Sequence, residues 1–336
     1  MSSPPRRDVL LMSPPRADWR VHGAANVFSQ GQPAAVAAGA ALAEWLSLAD
    51  TLTSAGASVV VMPFDDDDAS LTGMPYTAEA GVVGRARDTD GAPLWLLPSM
   101  KPAHRQREPD HVARFAAACG IATRAVPVTW EGQGDVLVVE RTRYAPRRFV
   151  CTSGEGAHAR TSPAAVTHVA RCLPGPSLHL RFAAEPWFHG NTFLGFFCAR
   201  AEEGGDGGVD EVVGLVCDDA LLPGEGERLR AFLPDVRFVT LTRHDSLHYA
   251  TNALQVGNAV IAPPGLPAHV HDVWRGLGLR VVEVALPTLF GRGGGAAVCM
   301  TNRLDVDEAT IPAHLHYAAV RPALVALLQD TRARRG

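Results

Sequence analysis

Short β-branched apolar runs alternate with longer Ala- and Leu-rich stretches along the whole chain. The longer stretches predict helices over 34–55, 110–119, 163–172, 225–233 and 266–276. The short runs predict strands at 9–12, 58–62, 94–97, 136–139, 149–152, 178–182, 192–198, 212–217, 236–241, 259–262, 281–284 and 296–300. A plain βα alternation would need fewer strands per helix. The pattern fits an α/β chain of five strand-strand-helix-strand units, about 67 residues apiece, in a single domain spanning 1–336. Polar or Gly-rich breaks at 65–68, 85–92, 141–148, 201–209 and 291–295 are too short to read as interdomain linkers. The run Asp65–Asp68 reads as a solvated acidic loop, because adjacent carboxylates diverge on an extended chain.

Composition supports a packed core: 47% of the 336 residues are hydrophobic and 20% charged. The formal net charge of -4 argues against a nucleic-acid binder, whose phosphate-contacting face usually leaves a basic excess. The chain has no uninterrupted apolar stretch of about 18 residues, the length of a membrane span. Residues 1–8 lack the apolar run of an export signal, so a soluble cytoplasmic protein is expected. Cys119, Cys151, Cys172, Cys198, Cys217 and Cys299 form no CxxC pair and read as free thiols.

Three segments combine reactive side chains with glycine. Gly291-Arg292-Gly293-Gly294-Gly295 leads into a predicted strand carrying Cys299, a nucleophile if a neighbour lowers its pKa and otherwise one more buried thiol. Trp130-Glu131-Gly132-Gln133-Gly134-Asp135 sets two carboxylates around a bend, where Glu131 either meets a cation or stays an exposed acid. Pro186-Trp187-Phe188-His189-Gly190-Asn191-Thr192 places a histidine among aromatics, a general acid/base or a plain core residue. The pairs His269/His271 and His314/His316 lie near helices, where i and i+2 diverge, so no metal site is expected.

Taken in order, Glu-Gly-x-Gly-Asp, His189 and Gly-Gly-Gly-x-x-x-Cys-Met-Thr resemble the guanidino-group-modifying enzymes. These are the arginine deiminases, dimethylarginine dimethylaminohydrolases, arginine dihydrolases and amidinotransferases, which share the pentein fold. The resemblance runs over about residues 8–305 and adds Asn26, the segment Met74–Gly81, Pro102-Ala103-His104-Arg105-Gln106-Arg107-Glu108, Arg160-Thr161 and Thr251-Asn252-Ala253-Leu254. It implies five units around a pseudo-fivefold axis and a hydrolase of C–N bonds in linear amidines.

By this resemblance Cys299 attacks the guanidinium carbon, His189 is the acid/base, and Glu131 grips the guanidinium and orients the His. Asn26, Asp135, Arg160 and Arg105 fall among the substrate-binding positions; Arg160 and Arg105 match those for the far carboxylate, with an exposed surface arginine as the alternative for each. The family's His-x-Asp is here His189-Gly190-Asn191, and Glu79 stands where the family has Asp or Asn, so the expectation is that one carboxylate has moved from Asn191 to Glu79. His179, in Leu178-His179-Leu180-Arg181, is the rival for the acid/base. No cofactor or metal is implied, and the expected partner is a small guanidino molecule, with room for a homo-oligomer. The alternatives are an amidinotransferase and, less favoured, a non-enzymatic binding protein on the same fold.

Overall fold

A computed structural model describes residues 7–22, 26–64, 71–85, 91–140, 147–199 and 211–334. The acidic run Asp65–Asp68 lies outside them. In chain order the elements begin with β1 (Val9–Met12), α1 (Ala40–Ser54) and β2 (Ser58–Val61). The second unit is β3 (Val82–Arg85), β4 (Pro93–Leu97), α2 (Glu108–Ala118) and β5 (Ala122–Ala125). The third is β6 (Val136–Val139), β7 (Arg148–Glu155), α3 (Pro163–Cys172) and β8 (Ser177–Ala183). The fourth is β9 (Leu194–Cys198), β10 (Val212–Val216), α4 (Glu225–Phe232) and β11 (Val236–Thr240), followed by the short α5 (Arg243–Leu247). The fifth is β12 (Leu254–Val256), β13 (Ala259–Ala262), α6 (Ala268–Gly276) and β14 (Arg280–Glu283); β15 (Asn302–Arg303) and α7 (Tyr317–Ala333) complete the chain's order.

Each unit forms its own three-stranded sheet, with the middle strand antiparallel to one neighbour and parallel to the other. The helix always lies in the crossover between the two parallel strands, the connection a parallel pair requires. The first sheet is completed from the far end of the sequence, because β15 pairs with β1. Five strand-strand-helix-strand units are therefore present, as the apolar pattern predicts.

The continuous apolar strands follow from burial on both faces. Leu10, Met12, Val59 and Val61 pack with Trp45 of α1, while Val9, Leu11 and Val60 pack with Trp95 of β4 and Phe115 of α2. Alternate side chains of one sheet thus serve its own helix and the next unit. None of the described helices is long and apolar enough to cross a membrane.

The structure corrects several boundaries. The helix expected over 34–55 starts at Ala40, behind Gly39 at φ 72°. The strand expected over 192–198 begins at Leu194, after a 3-10 turn at Gly190–Thr192. The strand expected over 296–300 is a turn instead. Asn252 Oδ1 accepts the N–H groups of Ala296 and Cys299, at 3.0 and 3.1 Å, which takes those donors out of any strand ladder.

Candidate active site

A single 3-10 turn precedes the first strand of four units: Thr77–Ala80 before β3, Gly132–Asp135 before β6, Gly190–Thr192 before β9 and Ala250–Asn252 before β12. The turn holding Cys299 stands at the same place before β15. Glu79, Glu131, Asp135, His189, Asn191 and Cys299 lie on or beside these five turns; Asn26, Arg105, Arg160 and His179 do not. Their polar side chains take up main-chain groups across the centre. Asn302 Nδ2 donates to the carbonyls of Thr77 and Gly81 at 3.0 and 2.8 Å, and Gln133 Nε2 to Asn302 Oδ1 at 2.8 Å. Gly132, at φ 68°, is required: a Cβ there would stand 2.5 Å from the Ala78 carbonyl oxygen.

His189 is fully buried and has a carboxylate near each ring nitrogen. Nε2 lies 2.9 Å from Glu131 Oε2, and Nδ1 lies 3.2 Å from Glu79 Oε1. Glu131 also accepts from the Lys101 N–H at 3.1 Å and from Arg160 Nη1 at 3.3 Å. Burial pushes the Glu131 carboxyl up, but Arg160 and His189 outweigh it and hold it well below the usual carboxylate range. Asp135 accepts from Thr161 Oγ1 at 2.6 Å and from the Gly190 N–H at 2.9 Å, so it anchors the His189 turn. Burial raises its pKa.

Cys299 is 2% exposed, between two carboxamides. Asn252 Nδ2 lies 3.2 Å and Asn191 Nδ2 3.6 Å from its sulfur. Burial pushes the thiol up to about 11 against the opposing pull of these amides. Tyr249, which opens the Asn252 turn, holds a left-handed φ of 65° and donates its hydroxyl to the Phe290 carbonyl at 2.8 Å.

Arg105 is buried rather than an exposed surface arginine, and it lines the cavity over Cys299. Its guanidinium is ion-paired with Glu79 and with Glu108, at 2.6 Å for Glu108. Arg160 is also buried and stacks over the Phe188 ring at 5.1 Å. Asn26 caps its own turn, accepting from the Phe28 N–H at 2.9 Å and donating to the Gly293 carbonyl at 3.1 Å. His179 bonds Ser153 Oγ at 2.7 Å on β8 and does not line the cavity over Cys299.

That cavity, about 40 Å³, is lined by Cys299, Glu79, Arg105, Arg160, Phe188 and the stacked rings of His22 and His104, among others. It has room for a few waters and is closed to a molecule the size of arginine. His189, Glu131, Asp135 and Asn191 stand behind its walls. Ligand atoms of Glu79, Glu131 and His189 come within 4.8 Å of one another, a spacing that could hold a cation. The two carboxylates are already committed to Arg105 and Arg160. Asn252 is the site residue that motif reading left unassigned; its signal was the Thr-Asn-Ala-Leu segment.

No family model and no curated protein matches the sequence significantly. Solved structures do match. The N-terminal domain of ArgZ, an arginine dihydrolase from the ornithine-ammonia cycle in Cyanobacteria, bound to substrate, superposes with a TM-score of 0.72 and 22% identity, over 89% of this chain and 98% of that one. AgrE in complex with L-arginine gives 0.72 and 21%, over 92% of this chain and 41% of that one. DDAH from Pseudomonas aeruginosa, complexed with citrulline, gives 0.60 and 17%, over 89% and 100%. The chain has the pentein fold. In this fold the five axial turns carry Glu79, Asp135 (with Glu131 just ahead), Asn191 (with His189 just ahead), Asn252 and Cys299, one turn from each unit.

Proposed function

We propose that this protein is a cysteine-dependent hydrolase of the guanidino group of arginine or a substituted arginine. The observation that carries the reading is the convergence, at one axis, of a thiol held by two amides with a histidine flanked by two carboxylates. The neighbours named above are an arginine dihydrolase, a protein binding L-arginine and one binding citrulline, which supports the same class of substrate.

Cys299 gives its proton to water in the cavity as the cationic guanidinium enters, and its thiolate sulfur attacks the planar carbon. His189, in its imidazolium form, gives a proton to the departing nitrogen, and ammonia or an alkylamine leaves a thiouronium. The neutral ring then takes a proton from water, whose oxygen bonds to the same carbon; the C–S bond breaks, the proton left on that oxygen passes to sulfur, and a ureido product forms as the thiol is restored. Glu131 holds the ring and balances the imidazolium charge, and Glu79 meets the guanidinium once Arg105 gives way.

Product mass analysis of a panel of guanidines, with and without amine acceptors, tests the reading. Release of ammonia or alkylamine with a ureido product is expected, and Cys299→Ser should lower turnover by several orders of magnitude. Transfer of the amidino group to an added amine would make the protein an amidinotransferase. Native protein inert to every guanidine, with Cys299 unlabelled by chloroacetamidine, would leave a binding role.

A further inference from the structure

Lys101 is the one lysine among the 31 lysines and arginines of the chain. It follows β4, and the main chain just ahead of it is fixed by Ser99, which exchanges N–H and carbonyl bonds with Trp130 at 2.9 and 3.0 Å. Two residues on, the Lys101 N–H donates to Glu131 Oε1 at 3.1 Å. Its ammonium reaches the loop between β7 and α3 in the third unit, donating to the carbonyls of Ala157 and Ala159 at 2.7 and 2.6 Å. These two acceptors converge on a single nitrogen. A compact ammonium with three rotatable donors meets that geometry, whereas the planar fork of a guanidinium does not.

Both of the segments joined by this side chain line the Cys299 cavity. His104 and Arg105 follow Lys101, and Arg160 follows Ala159. Arg160 Nη1 in turn takes Glu131 Oε2 at 3.3 Å, the oxygen that His189 Nε2 approaches to 2.9 Å. Lys101 therefore bears on both oxygens of Glu131, on one through its own main chain and on the other through the backbone that carries Arg160. The outer residues of the loop, Glu155 to His158, are exposed. Its ion pair from His158 to Glu185, 3.3 Å, is open to solvent on both sides, where such pairs contribute little. The ammonium grips the chain on the two carbonyls just ahead of Arg160, and bonds from an ionised donor are the stronger kind.

We infer that Lys101 is a positioning residue: its ammonium straps the loop after β7 to the segment after β4 and so holds Arg160 on Glu131 at the wall of the substrate cavity. The effect on turnover rests on the guanidine-hydrolase reading, and hydrogen exchange tests the strap without it. The N–H groups of Ala159 and Ser162 bond the Gly156 and Thr129 carbonyls at 3.2 and 3.0 Å. In Lys101→Met both amides should exchange at least about tenfold faster, with those of β7 unchanged. For the panel guanidine that native protein turns over fastest, KM should rise at least about tenfold while kcat stays within about threefold. Arg160 lines the cavity, whereas the sulfur and the imidazole keep their places. In an Arg160→Ala background the same change should raise KM less than about twofold, because Lys101 acts through Arg160. Acetic anhydride, which reaches the exposed Lys101 amine of folded native protein and removes its charge, should reproduce the rise in KM. The same treatment should leave the KM of Lys101→Met where it was. Unchanged exchange at Ala159 and Ser162, a loss confined to kcat, or equal effects with and without Arg160 would overturn the inference. Faster exchange in Lys101→Met, with native protein inert to every guanidine, would uphold the strap and remove the hydrolase.

Discussion

A thiol packed against amides is harder to ionise than one beside a cation, because an amide dipole stabilises a thiolate less than a full charge does. Cys299, with its pKa pushed up to about 11 by burial, is a thiol at neutral pH. Its alkylation by neutral iodoacetamide should therefore rise about tenfold per pH unit from pH 7 to 10, following the thiolate fraction. Chloroacetamidine, which brings a positive charge to the sulfur, should label the same residue at pH 7 with a shallower slope. Rapid, pH-independent labelling by iodoacetamide would mean that the sulfur rests ionised. A second residue-scale expectation concerns Glu79, which is 4% exposed and bound by Arg105. Glu79→Gln keeps the shape and removes one charge, so a cationic guanidine should bind roughly ten- to a hundredfold more weakly, the effect of about 1.5–3 kcal/mol. Calorimetry on Cys299→Ser with and without Glu79→Gln measures it, and equal affinities would show that Glu79 serves Arg105 alone.

At the scale of elements, the axial turns do the positioning. Gly132→Ala would drive a methyl group into the Ala78 carbonyl at a backbone angle that L-residues avoid. It should separate the Glu79 and Glu131 turns, and with them the two carboxylates of His189. Activity should fall by at least about a hundredfold, since small misplacements at a reacting centre cost that much. Near-native activity in the guanidine assay would show that the turns tolerate the shift. The elements most legible in sequence were those buried on both faces, such as Val9–Met12 and Ala259–Ala262, whose unbroken apolar runs match the structure residue for residue. Ala122–Ala125 was missed because all four of its residues are exposed and carry no apolar signal. Leu254–Val256 was missed because three residues carry no period, and Tyr317–Ala333 because Pro322 interrupts it. Of the site, glycine-flanked Glu131, His189 and Cys299 stood out in sequence. The pairing of Arg105 with Glu79 did not, since it joins two turns of the second unit that meet only once β3 and β4 pair antiparallel.

Across the whole molecule, the ring closes through β1 and β15, with the Leu304 N–H bonded to the Val9 carbonyl at 2.9 Å and Arg303 to Asp8 at 3.0 Å. Helix α7 then packs against α1, burying Tyr317 and Leu324 and placing Arg321 on Asp50 at 2.8 Å. Ending the chain after residue 316 should reduce stability by about 3–6 kcal/mol, the worth of two large buried side chains, and leave the five sheets in place. Urea denaturation followed by tryptophan fluorescence measures the loss; an unchanged midpoint would show that α7 merely rests on the ring. Closure also sets an order in time. Glu79, Glu131 and His189 are synthesised long before Cys299, which lies three residues ahead of the strand that shuts the ring. An unfinished chain carries the acids and the base without the sulfur, and a finished one acquires its sulfur in the same stretch that locks the ends together. Reactivity toward an amidine is thus a report on whether the circle has been completed.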